Sequence, residues 1–235
     1  IDLDDYITCH ADISLLKRTP ASFLGSCRYK LPPIEGNEDV YDKMFDIMEK
    51  YNIQYFLYIG GNDSMDTIKM LSDYAAKKDK PQKFMGVPKT IDNDLPLTDH
   101  TPGYGSAAKY IATSMKEIIR DNASFGASKP TVCIVEIMGR HAGWLAAASA
   151  LSKGIDCEGP DLIYLPEVPF DLDSFMTKVK HLAETKRSVV IAVSEGIRLT
   201  DGRFVCELGS MSDYVDAFGH KQLSGCASFL ANKVT

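Results

Sequence analysis

Two aspartates stand two positions apart in Thr90-Ile91-Asp92-Asn93-Asp94. At that spacing one carboxylate can accept a hydroxyl proton while the other holds a divalent cation beside a phosphate. Lys89 precedes them and can neutralise phosphate charge as a point donor. A solvated acidic turn would carry the same residue types, so the pair gains meaning from its neighbours. Gly60-Gly61-Asn62-Asp63-Ser64 has glycines that let a ligand approach the backbone, and it opens a helix whose first N–H groups can meet a phosphate. The plain alternative is a strand–helix turn capped by Asp63 or Ser64. Met138-Gly139-Arg140 can clamp a phosphate or sugar through the guanidinium. A cation at a helix start is unfavourable, and that misfit points to an anion nearby. Glu195-Gly196 offers a carboxylate for sugar hydroxyls, or a plain surface glutamate. His141 and His220, each taken singly, read as packing or surface residues.

Each of these segments follows an apolar run. Residues 55–59, 83–87, 131–137 and 188–194 read as strands, the first as a buried one. Residues 161–165 are a further strand candidate, and Pro88 stops the second strand. Helical spacing runs over 64–78, with Ile68, Leu71 and Ala75 on one face, and over 106–120, with Ile111, Met115 and Ile118 aligned. The Ala-rich stretch 142–152 and residues 172–185 are also helical, whereas 122–130 reads as a loop. Strands alternating with helices predict an α/β fold with parallel sheets covered on both faces. Such sheets bind ligands at the carboxyl ends of their strands. Four strand ends carry glycine or charge, which is the strongest signal that owes nothing to a known relative.

The 235 residues suffice for one large α/β domain or two smaller lobes, and the turn residues Thr101-Pro102-Gly103 suit a lobe boundary. Hydrophobic residues make up 45% and charged residues 25%, so a packed core is expected rather than disorder. A formal net charge of −6 lacks the basic footprint of a nucleic-acid binder. It also means that an anionic substrate must be held by local positive charge. The six cysteines include no Cys-x-x-Cys pair and read as free thiols of a reducing compartment. No signal peptide or membrane-length apolar run is visible, so the expected location is cytoplasmic, away from the membrane.

Taken together, these segments resemble the phosphofructokinase family, and within it the pyrophosphate-dependent 6-phosphofructokinases. The family pattern runs from a glycine-glycine-aspartate turn to threonine-isoleucine-aspartate-asparagine-aspartate, methionine-glycine-arginine and a glutamate-glycine strand end, in the order found here. Phe23-Leu24-Gly25-Ser26-Cys27-Arg28 looks like the family's upstream loop, and Gly219-His220-Lys221-Gln222 like its later histidine segment. The resemblance implies two Rossmann-like lobes with mainly parallel sheets and an active cleft between them. Residues 1–103, rejoined by 220–235, would bind the donor, and 104–219 the sugar phosphate.

The implied reaction transfers a phosphoryl group from pyrophosphate to the 1-hydroxyl of fructose 6-phosphate, reversibly. Asp92 would be the base, with Asp94, Thr90 and Lys89 completing the catalytic group. Gly60, Gly61, Asn62, Asp63, Ser64 and Arg28 would meet the donor. Thr90, Asp92, Met138, Gly139, Arg140, Glu195 and His220 would hold the sugar phosphate. Mg²⁺ is the implied cofactor, on Asp63 and Asp94, and a homo-oligomer the implied assembly. ATP-using members resemble this chain less, having glycine at the places of Asp63 and Lys89. Asn62 replaces the family's metal-associated aspartate, and Leu223 stands where many members have a sugar-phosphate arginine. An ATP-dependent enzyme and a catalytically silent sugar-phosphate-binding subunit are the alternatives. The resemblance also implies either further terminal regions that complete one lobe or a divergent short form.

Overall fold

In the computed structural model, residues 2–19, 23, 25, 29–125, 129–208 and 225–235 are described. Arg28, His220, Lys221 and Leu223 lie outside them. After the short helix α1 (His10–Arg18), an amphipathic helix α2 (Glu38–Lys50) leads to strand β1 (Tyr55–Gly60), helix α3 (Asn62–Lys77) and strand β2 (Lys83–Pro88). The two strands pair in parallel, with Gly60 opposite Pro88. Tyr41 and Phe45 of α2 pack with Leu71 and Tyr74 of α3, and the Tyr74 hydroxyl donates to Asp42 Oδ1 at 2.6 Å. That bond and a buried position hold the Tyr74 hydroxyl protonated, with burial the larger cause.

The β1–β2 sheet is covered on one face, not on both as the apolar runs suggest. Gly86 leaves room for Met65 of α3, whose sulfur would lie 2.5 Å from a β-carbon there. On the other face Tyr55, Leu57, Ile59 and Met85 are exposed. Side chains alternate along a strand, so covering one face with α3 leaves every second residue outward. The sequence reading of 55–59 as a buried strand is corrected accordingly.

Three further strands, β3 (Thr131–Ile137), β4 (Leu162–Tyr164) and β5 (Ser188–Ser194), form a second parallel sheet in the order β3-β5-β4. The central strand β5 is buried almost throughout, as its unbroken Val and Ile run requires. Val190 and Ala192 face Met115 of helix α4 (Tyr104–Ser124) and Leu145 of helix α5 (Trp144–Ala148). Val189, Ile191 and Val193 face Phe175 and Val179 of helix α6 (Leu172–Thr185), together with Leu230 of helix α7 (Cys226–Val234). Full burial of each such branched side chain stabilises by about 1.5–3 kcal/mol.

Several boundaries differ from the periodicity. α4 runs through residues 122–124, expected as loop, because Asn122 Nδ2 donates to Ser188 Oγ at 2.7 Å and ties the last turn to β5. The expected helix at 142–152 is a short α5 followed by a 3-10 turn, Ser149–Ser152. α7 packs on β3, with Ala227 N donating to Glu136 Oε2 at 2.9 Å. Residues 225–235 therefore join the second sheet, whereas the sequence reading returned 220–235 to the first lobe. The reason is apolar: Cys226 and Leu230 are fully buried in the β5 core. Among the described residues, no helix is long and apolar enough to cross a membrane.

Candidate active site

The first glycine turn sits at the carboxyl end of β1. Gly61 is the residue before α3, and the helix starts at Asn62 rather than at Ser64. Asp63 and Ser64 thus lie inside the first turn and do not cap it. A β-carbon on Gly60 would fall 2.0 Å from Ser64 Oγ, so only glycine fits. The Lys89 backbone N–H donates to Gly60 O at 2.9 Å, and the Gly61 Cβ position faces Lys89 O at 3.9 Å. Register alone therefore puts the glycine turn beside the segment that opens the aspartate loop.

That loop is held by Asn93. Its side chain is buried, its Oδ1 accepts from Thr101 N at 2.9 Å and its Nδ2 donates to Asp99 O at 3.1 Å. Its φ of 58° is left-handed, a conformation asparagine tolerates better than most residues. Thr101 Oγ1 donates to Thr90 O at 2.7 Å, closing the loop a second time. Thr90 Oγ1 accepts from Asp92 N at 3.0 Å. The two aspartates consequently differ. Asp94 is exposed, whereas Asp92 is half-buried and its Oδ1 is shut from solvent with no hydrogen-bond partner. Burial first, and then the charge of Asp94, push the Asp92 carboxyl above the usual carboxylate range; Lys89, Arg140 and His141 pull the other way.

Across from it, the 138–140 turn and the end of β5 interlock. Gly139 has φ 140° and its N–H donates to Glu195 Oε1 at 3.2 Å. The Ser194 hydroxyl donates to Gly139 O. A β-carbon on Gly196 would lie 2.0 Å from Arg140 O, so the chain passes this point only as glycine. Burial raises the Glu195 carboxyl, against the Gly139 N–H and Arg140, which lower it. α5 begins only at Trp144, so Arg140 precedes the helix and the expected clash with the helix dipole does not arise. Met138 is exposed at the lip of this turn. An open cavity of about 660 Å³ runs along Asp94, Asp99, His100, Tyr104 and Trp144.

The fold thus gathers Asp92, Asp94, Lys89, Arg140 and Glu195 into one electrostatic neighbourhood, with the Gly60–Ser64 turn next to Lys89. Arg28 and His220 fall outside the described residues. Sequence reasoning missed Asn93 as the loop's clasp, although an asparagine with both donor and acceptor between two aspartates is a usable signal. It also missed Glu167, whose Oε1 accepts from Gly143 N at 2.7 Å, and nothing in its spacing marks it. Among the described residues no cluster of three or more metal-ligating side chains occurs. The carboxylates of Asp63 and Asp94 are of the ligand type that Mg²⁺ takes one or two at a time, with water and substrate phosphates completing its shell.

The phosphofructokinase family model matches residues 4–233. The chain belongs to the phosphofructokinase family. It is 45% identical over 222 residues to a pyrophosphate–fructose 6-phosphate 1-phosphotransferase of Halomonas elongata, covering 94% of this chain and 52% of that protein. A crystal structure of a pyrophosphate-dependent phosphofructokinase from Nitrosospira multiformis superposes with a TM-score of 0.74 at 40% identity, over 86% of this chain and 49% of that one. Another, from Marinobacter aquaeolei, gives 0.76 at 36% identity, over 100% of this chain and 52% of that one. The chain thus spans about half the length of the family members it matches.

Proposed function

We propose that this chain carries the phosphoryl-transfer site of an enzyme that moves a phosphoryl group from pyrophosphate to the 1-hydroxyl of fructose 6-phosphate. The observation that carries this is Asp92, a half-buried carboxylate with an unpartnered oxygen and a raised proton affinity, flanked by Lys89 and Arg140. A base of that kind takes the proton of the 1-hydroxyl as its oxygen bonds to phosphorus. The bridging P–O bond of pyrophosphate breaks, and phosphate leaves beside Lys89. Mg²⁺ held by Asp63 and Asp94 would neutralise charge on the transferring group. Thr90 contacts the phosphoryl group. Met138, Gly139, Arg140, Glu195 and His220 hold the sugar phosphate, and Gly60, Gly61, Asn62, Ser64 and Arg28 the donor. Positioning and charge neutralisation supply most of the catalysis in such transfers.

Pyrophosphate rather than ATP is favoured by Asp63 and Lys89. A carboxylate in the first turn of α3 obstructs and repels a nucleotide's α-phosphate, while Lys89 stabilises a small, highly charged donor. The same proposal takes the β1–β2 unit and the β3–β5–β4 unit as two lobes facing a cleft, with a boundary near residue 103. A homo-oligomer working in the cytoplasm goes with it. The test is product identity by phosphorus NMR. Equal amounts of fructose 1,6-bisphosphate and phosphate should form from pyrophosphate and fructose 6-phosphate. Release of two phosphates with no bisphosphate, or no turnover by the intact protein, would defeat it.

A further inference from the structure

Phe204, Arg198 and His141 pack together beside the 138–140 turn. The guanidinium carbon of Arg198 lies 4.2 Å from the centre of the Phe204 ring, and one of its terminal nitrogens lies 2.8 Å from His141 Nδ1. The backbone fixes Arg198 as well: it bridges to Phe204 in antiparallel fashion, and its carbonyl accepts from Phe170 N at 2.6 Å. A guanidinium has only donors and keeps its proton in proteins. Nδ1 of His141 must therefore be the acceptor, which puts the proton of the neutral ring on Nε2. Adding a second proton would aim an N–H at a cation. His141 follows Arg140 directly.

We propose that Arg198 is a positioning residue that fixes His141 as a neutral Nε2–H donor at the edge of the proposed sugar-phosphate site. Phe204 backs the guanidinium and the Phe170 N–H holds the Arg198 backbone, so the donor that meets Nδ1 is fixed from two sides.

Long-range proton–nitrogen NMR on the chain labelled with ¹⁵N-histidine tests the tautomer without any need for turnover. The His141 signal is assigned by its loss in His141→Gln. It should show a bare Nδ1 and a protonated Nε2 from about pH 8 down to about pH 5.5, below the ordinary histidine midpoint. In Arg198→Met the same ring should titrate near about pH 6.5, and in Arg198→Lys, which still offers a donor, it should keep the starting tautomer. An Nδ1–H form, or ordinary titration in the starting protein, overturns the proposal. The kinetic arm rests on the proposed reaction. Arg198→Met should raise KM for fructose 6-phosphate about tenfold, with recovery in Arg198→Lys. An unchanged KM would refute the role at the sugar-phosphate site. Absence of turnover in every protein, with the tautomer as expected, would refute the reaction and leave the positioning role standing.

Discussion

Replacing Asp92 by asparagine should make the protein slower and more stable at once. The folded state holds this carboxyl above its ordinary value, chiefly through burial and then through Asp94. A raised value means that ionised Asp92 costs stability at neutral pH, and that the cost fades as the pH falls through the folded-state value. One oxygen is also buried with no partner, and an unsatisfied buried polar group costs about 1–3 kcal/mol. The amide keeps the shape and removes both the desolvated charge and the repulsion from Asp94. Because an amide nitrogen still needs a partner, the lower end applies: a gain of about 1 kcal/mol, or roughly 2–4 °C in Tm for a chain of this size. The rate should move the other way, with kcat falling about 10²–10⁴-fold as expected for loss of a general base. Thermal melts at neutral and acid pH, run beside turnover assays on the intact protein, read both. The stability gain should shrink as the pH is lowered. A variant that melts lower and keeps near-normal kcat would refute the assignment of Asp92 as a half-buried base.

Other perturbations separate sugar binding from scaffold. Arg140→Ala should raise KM for fructose 6-phosphate more than KM for the donor, by the roughly 1.5–3 kcal/mol of a charge-assisted hydrogen bond; steady-state kinetics with each substrate varied would show the opposite pattern if Arg140 served the donor. Asn93→Ala removes both hydrogen bonds that clasp the aspartate loop and should cost about 1–3 kcal/mol in denaturant unfolding along with a loss in kcat; unchanged stability would mean the loop is held otherwise. Gly196→Ala drives a methyl group into the Arg140 carbonyl and should destabilise by about 1–3 kcal/mol while raising KM for the sugar phosphate. A melt indistinguishable from the starting protein would contradict that packing.

Legibility in the sequence followed how local each signal was. β3, β5 and α6 have the bounds expected from their apolar runs, because unbroken Val and Ile or a clean helical stripe is a local pattern. The α2 stripe of Tyr41, Phe45 and Met48 was equally regular, but it follows no strand and carries no chemistry, so nothing drew attention to it. The open face of β1–β2 could not be seen, since whether Tyr55 and Leu57 are covered depends on what packs there, not on their own types. Within the site, the motif residues stood out by type and spacing. Their inequality did not: Asp92 and Asp94 look alike in sequence, and only the fold half-buries one and exposes the other. The Arg198–His141 contact spans 57 residues and leaves no local mark.

The central claim concerns the donor, and relative kcat/KM for pyrophosphate and ATP in the intact protein tests it most directly. The measurement extends to Asp63→Gly, Lys89→Gly and the double variant, whose effects on neighbouring turns need not add. Pyrophosphate should be preferred by the starting protein. Asp63→Gly should admit ATP with only a partial loss of pyrophosphate activity, Lys89→Gly should lower pyrophosphate turnover without admitting ATP, and the double variant should favour ATP most. A starting protein that already prefers ATP would contradict the account.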